Sequence, residues 1–194
     1  MHSRVAVTAL AAAVSLTSLA MAQVPDSTPF HRGQWGVDFG IGAGFAAIGA
    51  LHFTSPTHAM LLNLTSVFGH GSSAIGGPPT ITTSNVNAGL SVGTRAYRAV
   101  DARVYRWTTL GLSMAYNRQT TTVSGVSQRL QGIGAGVFGN LGAAWLVTPH
   151  LGLGAQWQVT VNYTHTTLSG TGSGSSNAVS IGLGQVSLTG QFYF

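Results

Sequence analysis

Residues 151–165, LGLGAQWQVTVNYTH, split into two chemistries by position alone. Leu151, Leu153, Ala155, Trp157, Val159, Val161 and Tyr163 are apolar. Gln156, Gln158, Thr160, Asn162 and Thr164, with Gly152 and Gly154, fill the places between. Successive strand side chains point to opposite faces, so this period of two specifies a β-strand with one apolar and one polar side. The pattern recurs along most of the chain. Eight strands are predicted: 34–43, 47–54, 58–68, 85–99, 103–117, 131–147, 151–166 and 178–194. A soluble sheet turns its apolar face to a core, whereas a membrane barrel turns it outward.

Charge decides between the two. Only 6% of residues are charged, with three acids (Asp26, Asp38, Asp101), eight arginines and neither Lys nor Glu. Soluble domains carry roughly a quarter charged residues, and a soluble surface needs them. No stretch of the mature chain has the roughly twenty apolar residues of a spanning helix, and Gly36–Phe53, the nearest, is Gly-rich and carries Asp38. The net charge of +5 comes from few acids rather than a dense basic patch with interleaved aromatics, so nucleic acid is not an expected partner. The absence of cysteine excludes a disulfide framework.

The chain opens with Arg4, an apolar stretch over 5–19 and Ala20-Met21-Ala22, the anatomy of an export signal cleaved after Ala22. The expected organisation is a signal peptide over 1–22, a short lead over 23–33 and a barrel over 34–194. Tight turns are expected at SPT, VDA and TPH. Long Ser/Thr/Gly loops are expected at GHGSSAIGGPPTITTS, around RQTTTVSGVSQ and at LSGTGSGSSN. Short turns on one side, long loops on the other and an even strand count describe an all-β, eight-stranded, antiparallel up-and-down transmembrane β-barrel. Both chain ends then lie on the short-turn side.

Aromatic residues provide a second line of inference. Trp35, Phe53, Trp145, Phe192 and Phe194 fall near the short-turn end, and Phe68, Tyr116 and Tyr163 near the other. Two aromatic girdles are what a bilayer's two interfaces select. Two strands change parity. Val179, Ile181 and Leu183 are odd while Val186, Leu188, Phe192 and Phe194 are even, which predicts a β-bulge near Gly184. Tyr105 and Trp107 are out of phase with Leu110 and Leu112, and a second bulge is expected there.

With its export signal, eight alternating strands and the terminal VSLTGQFYF, the chain resembles the small outer-membrane barrels of Gram-negative bacteria, the OmpA/OmpX type. The resemblance implies an outer-membrane location. It also implies that Phe194, with Phe192 two places before it, is the address read by the barrel assembly machinery. It implies no activity.

Asp38 and Arg95 both point inward by parity, and an ion in a narrow lumen is tolerable only when paired. A lumenal network is therefore expected from Asp38, Arg95, Asn63, Asn87, Asn140, Gln156, Gln158 and Asn162. Eight strands enclose a lumen that side chains can fill, so the barrel is expected to be plugged. Arg118 and Arg129, expected in the third long loop, suit the phosphates of lipopolysaccharide. Other partners expected are outer-membrane lipid, with the protein a monomer.

Catalysis and cofactors find little support. Gly42-x-Gly44-x-x-Ala47 matches a dinucleotide fingerprint but lies in an all-β context without the required helix. His70 near Ser72 and Ser73, and His165 near Ser169, lack a neighbouring carboxylate to orient the imidazole. His52, His58 and His150 complete the candidates, and the set lacks metal-ligand spacing. No catalytic residue, metal or cofactor is expected, and the role expected is structural or interfacial. A small channel and a lipid-modifying enzyme are the alternatives.

Overall fold

The computed structural model describes residues 29–42, 45–74, 80–170 and 172–194. Its strands are β1 (Trp35–Gly42), β2 (Phe45–Ser55), β3 (His58–Ala74), β4 (Thr80–Asp101), β5 (Val104–Val123), β6 (Val126–Thr148), β7 (Leu151–Ser169) and β8 (Gly174–Tyr193). Each pairs antiparallel with the next, and β1 pairs with β8, closing the ring. Closure leaves no unpaired edge, the condition for a sheet to sit in hydrocarbon. The expected signal peptide lies outside the described residues.

The outer wall is apolar. Leu110, Leu112 and Met114 on β5, Ile133 and Leu141 on β6, and Ile181, Leu183 and Leu188 on β8 are more than half exposed. The interior faces carry Asp38, Arg95, Thr109, Asn140 and Gln191, all buried. This inside-out arrangement answers the question raised by residues 151–165. Trp157, Val161 and Tyr163 face outward and exposed, while Gln156, Gln158 and Asn162 turn in, half-buried.

The bulge expected near Gly184 is present. Gln158 pairs with Gln185 and Val159 with Leu183, so Gly184 has no partner and the outward parity switches from odd to even. The second expected bulge is not. Between β4 and β5 the register runs unbroken from Ala99↔Tyr105 to Ile81↔Val123. Tyr105 and Trp107 are instead buried inside the barrel. Aromatic side chains there follow the inward parity of Thr109, and no shift is needed. On β2 the odd-numbered residues turn inward. Leu51 and Phe53 are fully buried in the lumen, and Ile48 faces out.

The long loops expected on one side are largely strand. β3 reaches Ala74, β4 begins at Thr80, and β5 and β6 run to Val123 and from Val126. Ser124 and Gly125 alone join the last pair, with φ of 50° and 82°. Two consecutive positive φ values are the signature of the tight hairpin turn whose twist matches the strands. A crossing strand needs about 9–11 residues. β4, at 22 residues, and β6, at 23, therefore project well past the apolar wall as ladders of Thr, Ser, Gln and Asn.

Candidate functional site

The lumen on the short-turn side is closed by a packed floor. At its centre Arg95 Nη2 lies 2.7 Å from Asp38 Oδ2. Arg95 is completely buried and Asp38 nearly so. The guanidinium also donates from Nε to Thr109 Oγ1 at 3.1 Å and from Nη1 to the Tyr97 hydroxyl at 3.5 Å. Its carbon sits 5.0 Å from the centre of the Trp107 ring. A buried charge is stable only with such a set of partners, and here β1, β4 and β5 each supply one or more.

Around the pair lies a cluster of rings. Phe30 stacks on Phe53 at 4.6 Å between centroids and touches Tyr97, Tyr105 and Tyr193 at 4.9, 5.1 and 4.8 Å. The Tyr105 and Tyr193 hydroxyls are 2.7 Å apart, and both reach Gln191 Oε1, Tyr105 at 3.1 Å. Glycines on neighbouring strands make the room, and Gly142 and Gly36 are the register partners of Trp107 and Tyr193. A Cβ at Gly142 would overlap the Trp107 ring, one at Gly152 the Tyr105 hydroxyl, and one at Gly36 would crowd the Tyr193 ring.

Phe30 belongs to the lead before β1, which folds back into the barrel mouth. Gly33 N donates to Phe53 O at 2.8 Å and Phe53 N to Gln34 O at 2.9 Å, while Trp35 and Phe194 exchange backbone hydrogen bonds. The lead is thus part of the floor.

Above the floor the lumen opens into a cavity of about 400 Å³. Asn87, Asn162, Gln158, Ser91, Ser113 and Phe138 are among its walls. Ser113 Oγ donates to Asn162 Oδ1 at 3.4 Å. Of the network expected from sequence, Asp38 and Arg95 meet in the floor, where Asn140 is also buried. Asn87, Gln158 and Asn162 line the cavity instead. Asn63 lies over Gly49 of β2, and Gln156 is half-buried with its Oε1 enclosed. The floor's rings were not anticipated, although their parity carried the signal. Tyr97, Tyr105, Trp107 and Tyr193 all share the inward parity of their strands.

Trp35, Trp145, Phe192 and Phe194 are exposed on the outer wall at the short-turn end, and Tyr116 and Tyr163 near the other. Phe53 does not join them, because it packs into the floor. The Phe68 side chain lies outside the described set. Arg118 and Arg129 stand on strands β5 and β6 rather than in a loop, where Arg118 pairs with Gln131 and Thr120 with Arg129. By parity both face outward, beyond Tyr116 and Ile133.

Three of the candidate histidines are engaged locally. His165 Nδ1 is 2.7 Å from Asn177 Oδ1, His150 Nδ1 is 3.0 Å from Tyr193 O, and His58 Nδ1 is 3.0 Å from Thr57 Oγ1. Among the described residues no group of three His, Cys, Asp or Glu could hold a metal ion.

No family model and no curated protein matches the sequence. Among solved structures the chain is similar to a major outer membrane protein of Thermus thermophilus. The TM-score is 0.59 at 12% identity, covering 83% of this chain and 98% of that one. It is also similar to Neisserial surface protein A, with a TM-score of 0.46 at 16% identity over 83% and 94% of the two chains. Ail of Yersinia pestis gives a TM-score of 0.46 at 8% identity over 84% and 99%. The first of these likenesses shows the fold, a small closed antiparallel barrel, and leaves activity to be argued from the site.

Proposed function

We propose that this chain is an integral outer-membrane barrel with a structural or interfacial role, closed to solute flow, which holds extended polar hairpins above the membrane. The observation that carries this reading is the sealed floor. Arg95, Asp38, Trp107 and the rings around Phe30 pack together, buried, in the short-turn half of the lumen. The apolar outer wall supports the membrane setting, since an exposed apolar belt between aromatic residues is what lipid requires of a barrel. The expected export signal and the terminal Phe194, which suits recognition by the assembly machinery, agree with it. Arg118 and Arg129, outward and beyond the belt, are suited to lipopolysaccharide phosphates. The barrel acts as a monomer without cofactor or catalysis.

The test is a planar-bilayer recording of the purified, refolded protein. Silence is the expected result, and discrete conductance steps would replace this reading with a channel. An enzyme would instead change the acyl pattern of lipid A on overexpression, an effect that His70→Ala or His165→Ala would remove.

A further inference from the structure

The outer wall at the short-turn end carries an arrangement that the sealed lumen does not explain. Arg98 of β4 and Arg106 of β5 are direct register partners, both on the outward parity and both exposed. Directly opposite residues in an antiparallel pair hold their Cβ atoms about 5 Å apart, and like charges there destabilise the pairing. Arg103, also exposed, follows in the turn between the same two strands. Of the described acids, Asp38 is in the lumen, and Asp101 stands in the same turn, where it accepts a hydrogen bond from Ala102 N at 2.6 Å.

Height fixes what these arginines meet. Arg106 pairs with Ala143 of β6, two residues from Trp145, which pairs with Val104. Trp145 is exposed on the outer wall and belongs to the aromatic belt with Trp35, Phe192 and Phe194. Belt residues sit at headgroup level, so Arg98 and Arg106 stand at that level and point toward lipid. Above them the outward positions are Ala96 and Thr94 on β4 and Thr108 on β5, before Leu110 begins the apolar wall.

We infer that Arg98 and Arg106, with Arg103 at the turn, form a binding site for the phosphate of an anionic glycerophospholipid in the leaflet on the short-turn side. The inference rests on the membrane reading above. A phosphodiester has two non-bridging oxygens, and each can accept from one guanidinium fork. The bound anion offsets the repulsion between the two cations. Three arginines against the single carboxylate of Asp101 favour a headgroup with net negative charge over a zwitterionic one. The glycerol and the first acyl carbons of that lipid then lie over the outward positions Ala96, Thr94 and Thr108.

The full-length chain is refolded into vesicles of phosphatidylcholine, alone and mixed with phosphatidylglycerol. Insertion, read by protease protection in phosphatidylcholine alone, tests the membrane reading separately. Retained lipid is then counted by native mass spectrometry after extraction. Wild type is expected to keep phosphatidylglycerol in preference to phosphatidylcholine. Each of Arg98→Gln and Arg106→Gln is expected to lower that preference about fivefold, and the double variant to abolish it. Arg118→Gln with Arg129→Gln, at the opposite end, is expected to leave it intact. An inserted wild type without preference, or a double variant that keeps it, overturns the site. Free glycerol phosphate is expected not to displace the lipid, and equal competition would make this a phosphate site rather than a lipid one. Should the double variant not fold, a photoreactive phosphatidylglycerol on wild type decides. Crosslinks confined to residues 94–108 support the site, and crosslinks spread around the rim overturn it.

Discussion

The two halves of the lumen are built from the same eight strands but from different chemistry. The short-turn half holds Trp107, Tyr97, Tyr105, Tyr193, Phe53 and the ion pair, all buried. The other half holds Asn87, Asn162, Gln158, Ser91 and Ser113 around an open cavity. Outside, both halves present the same alternating apolar wall. The contrast separates two tasks that one fold has to perform. The packed half supplies a core that lipid cannot, because the outer wall gains nothing from burial against another protein surface. The open half spaces the walls apart and carries the hairpins outward, and its lumenal residues are largely polar, with Phe138 a buried ring among them.

The sharpest way to break this contrast is at the ion pair. Arg95→Gln leaves Asp38 buried without its counter-ion, and Asp38→Asn does the converse. Each is expected to cost about 3–5 kcal/mol, the usual penalty for an orphaned buried charge. The double variant should cost less than the sum of the two by at least about 1 kcal/mol, since each single change has already lost the shared contact. Urea unfolding in vesicles measures all three. Additive losses would mean that the two groups are held by their other partners, Thr109 and Tyr97 on the arginine side.

How far the sequence discloses these halves depends on what a residue's parity can mean. Alternation with scarce charge was enough for the closed, inside-out ring, and a parity switch at Gly184 marked its bulge. Asp38 and Arg95 were legible as partners because charge in a narrow lumen has few solutions. The rings were not. An aromatic on a barrel strand is equally at home in a girdle or in a packed floor, and hydrophobicity alone does not choose. From sequence Phe53 therefore reads as a belt residue, and Tyr105 and Trp107 as a slipped register. What settles them is volume supplied by glycines on other strands, with Gly142 directly opposite Trp107, Gly36 directly opposite Tyr193 and Gly152 two strands from Tyr105. The hairpins were hidden for a related reason. Ser, Thr and Gly read as loop, yet once a ladder is nucleated at the wall, a tight turn at Ser124-Gly125 lets it continue into solvent.

A smaller effect is expected at the mouth of the packed half. Phe30 contacts four rings, but it enters from the end of the barrel, where a truncated side chain leaves space that solvent can fill. Phe30→Ala should therefore lose the transfer term without a closed cavity, about 2 kcal/mol. Bilayer recordings of this variant should stay silent, because Trp107, Arg95 and Tyr193 still close the floor behind it. Conductance in Phe30→Ala would show that the lead alone is the seal.

The smallest effect is expected in the open half. Asn162 is half-buried, and its carbonyl accepts a long hydrogen bond from Ser113. Water from the cavity can replace that partner, so truncation strands no polar group. Asn162→Ala and Asn87→Ala are each expected to shift unfolding by no more than about 0.5 kcal/mol, as at a solvated surface position. If either costs as much as Phe30→Ala, the cavity walls are part of the packed core, and the division of the lumen falls. If both are neutral while the ion-pair variants are not, stability resides in the short-turn half. The open half is then free to vary in sequence while the barrel holds its shape.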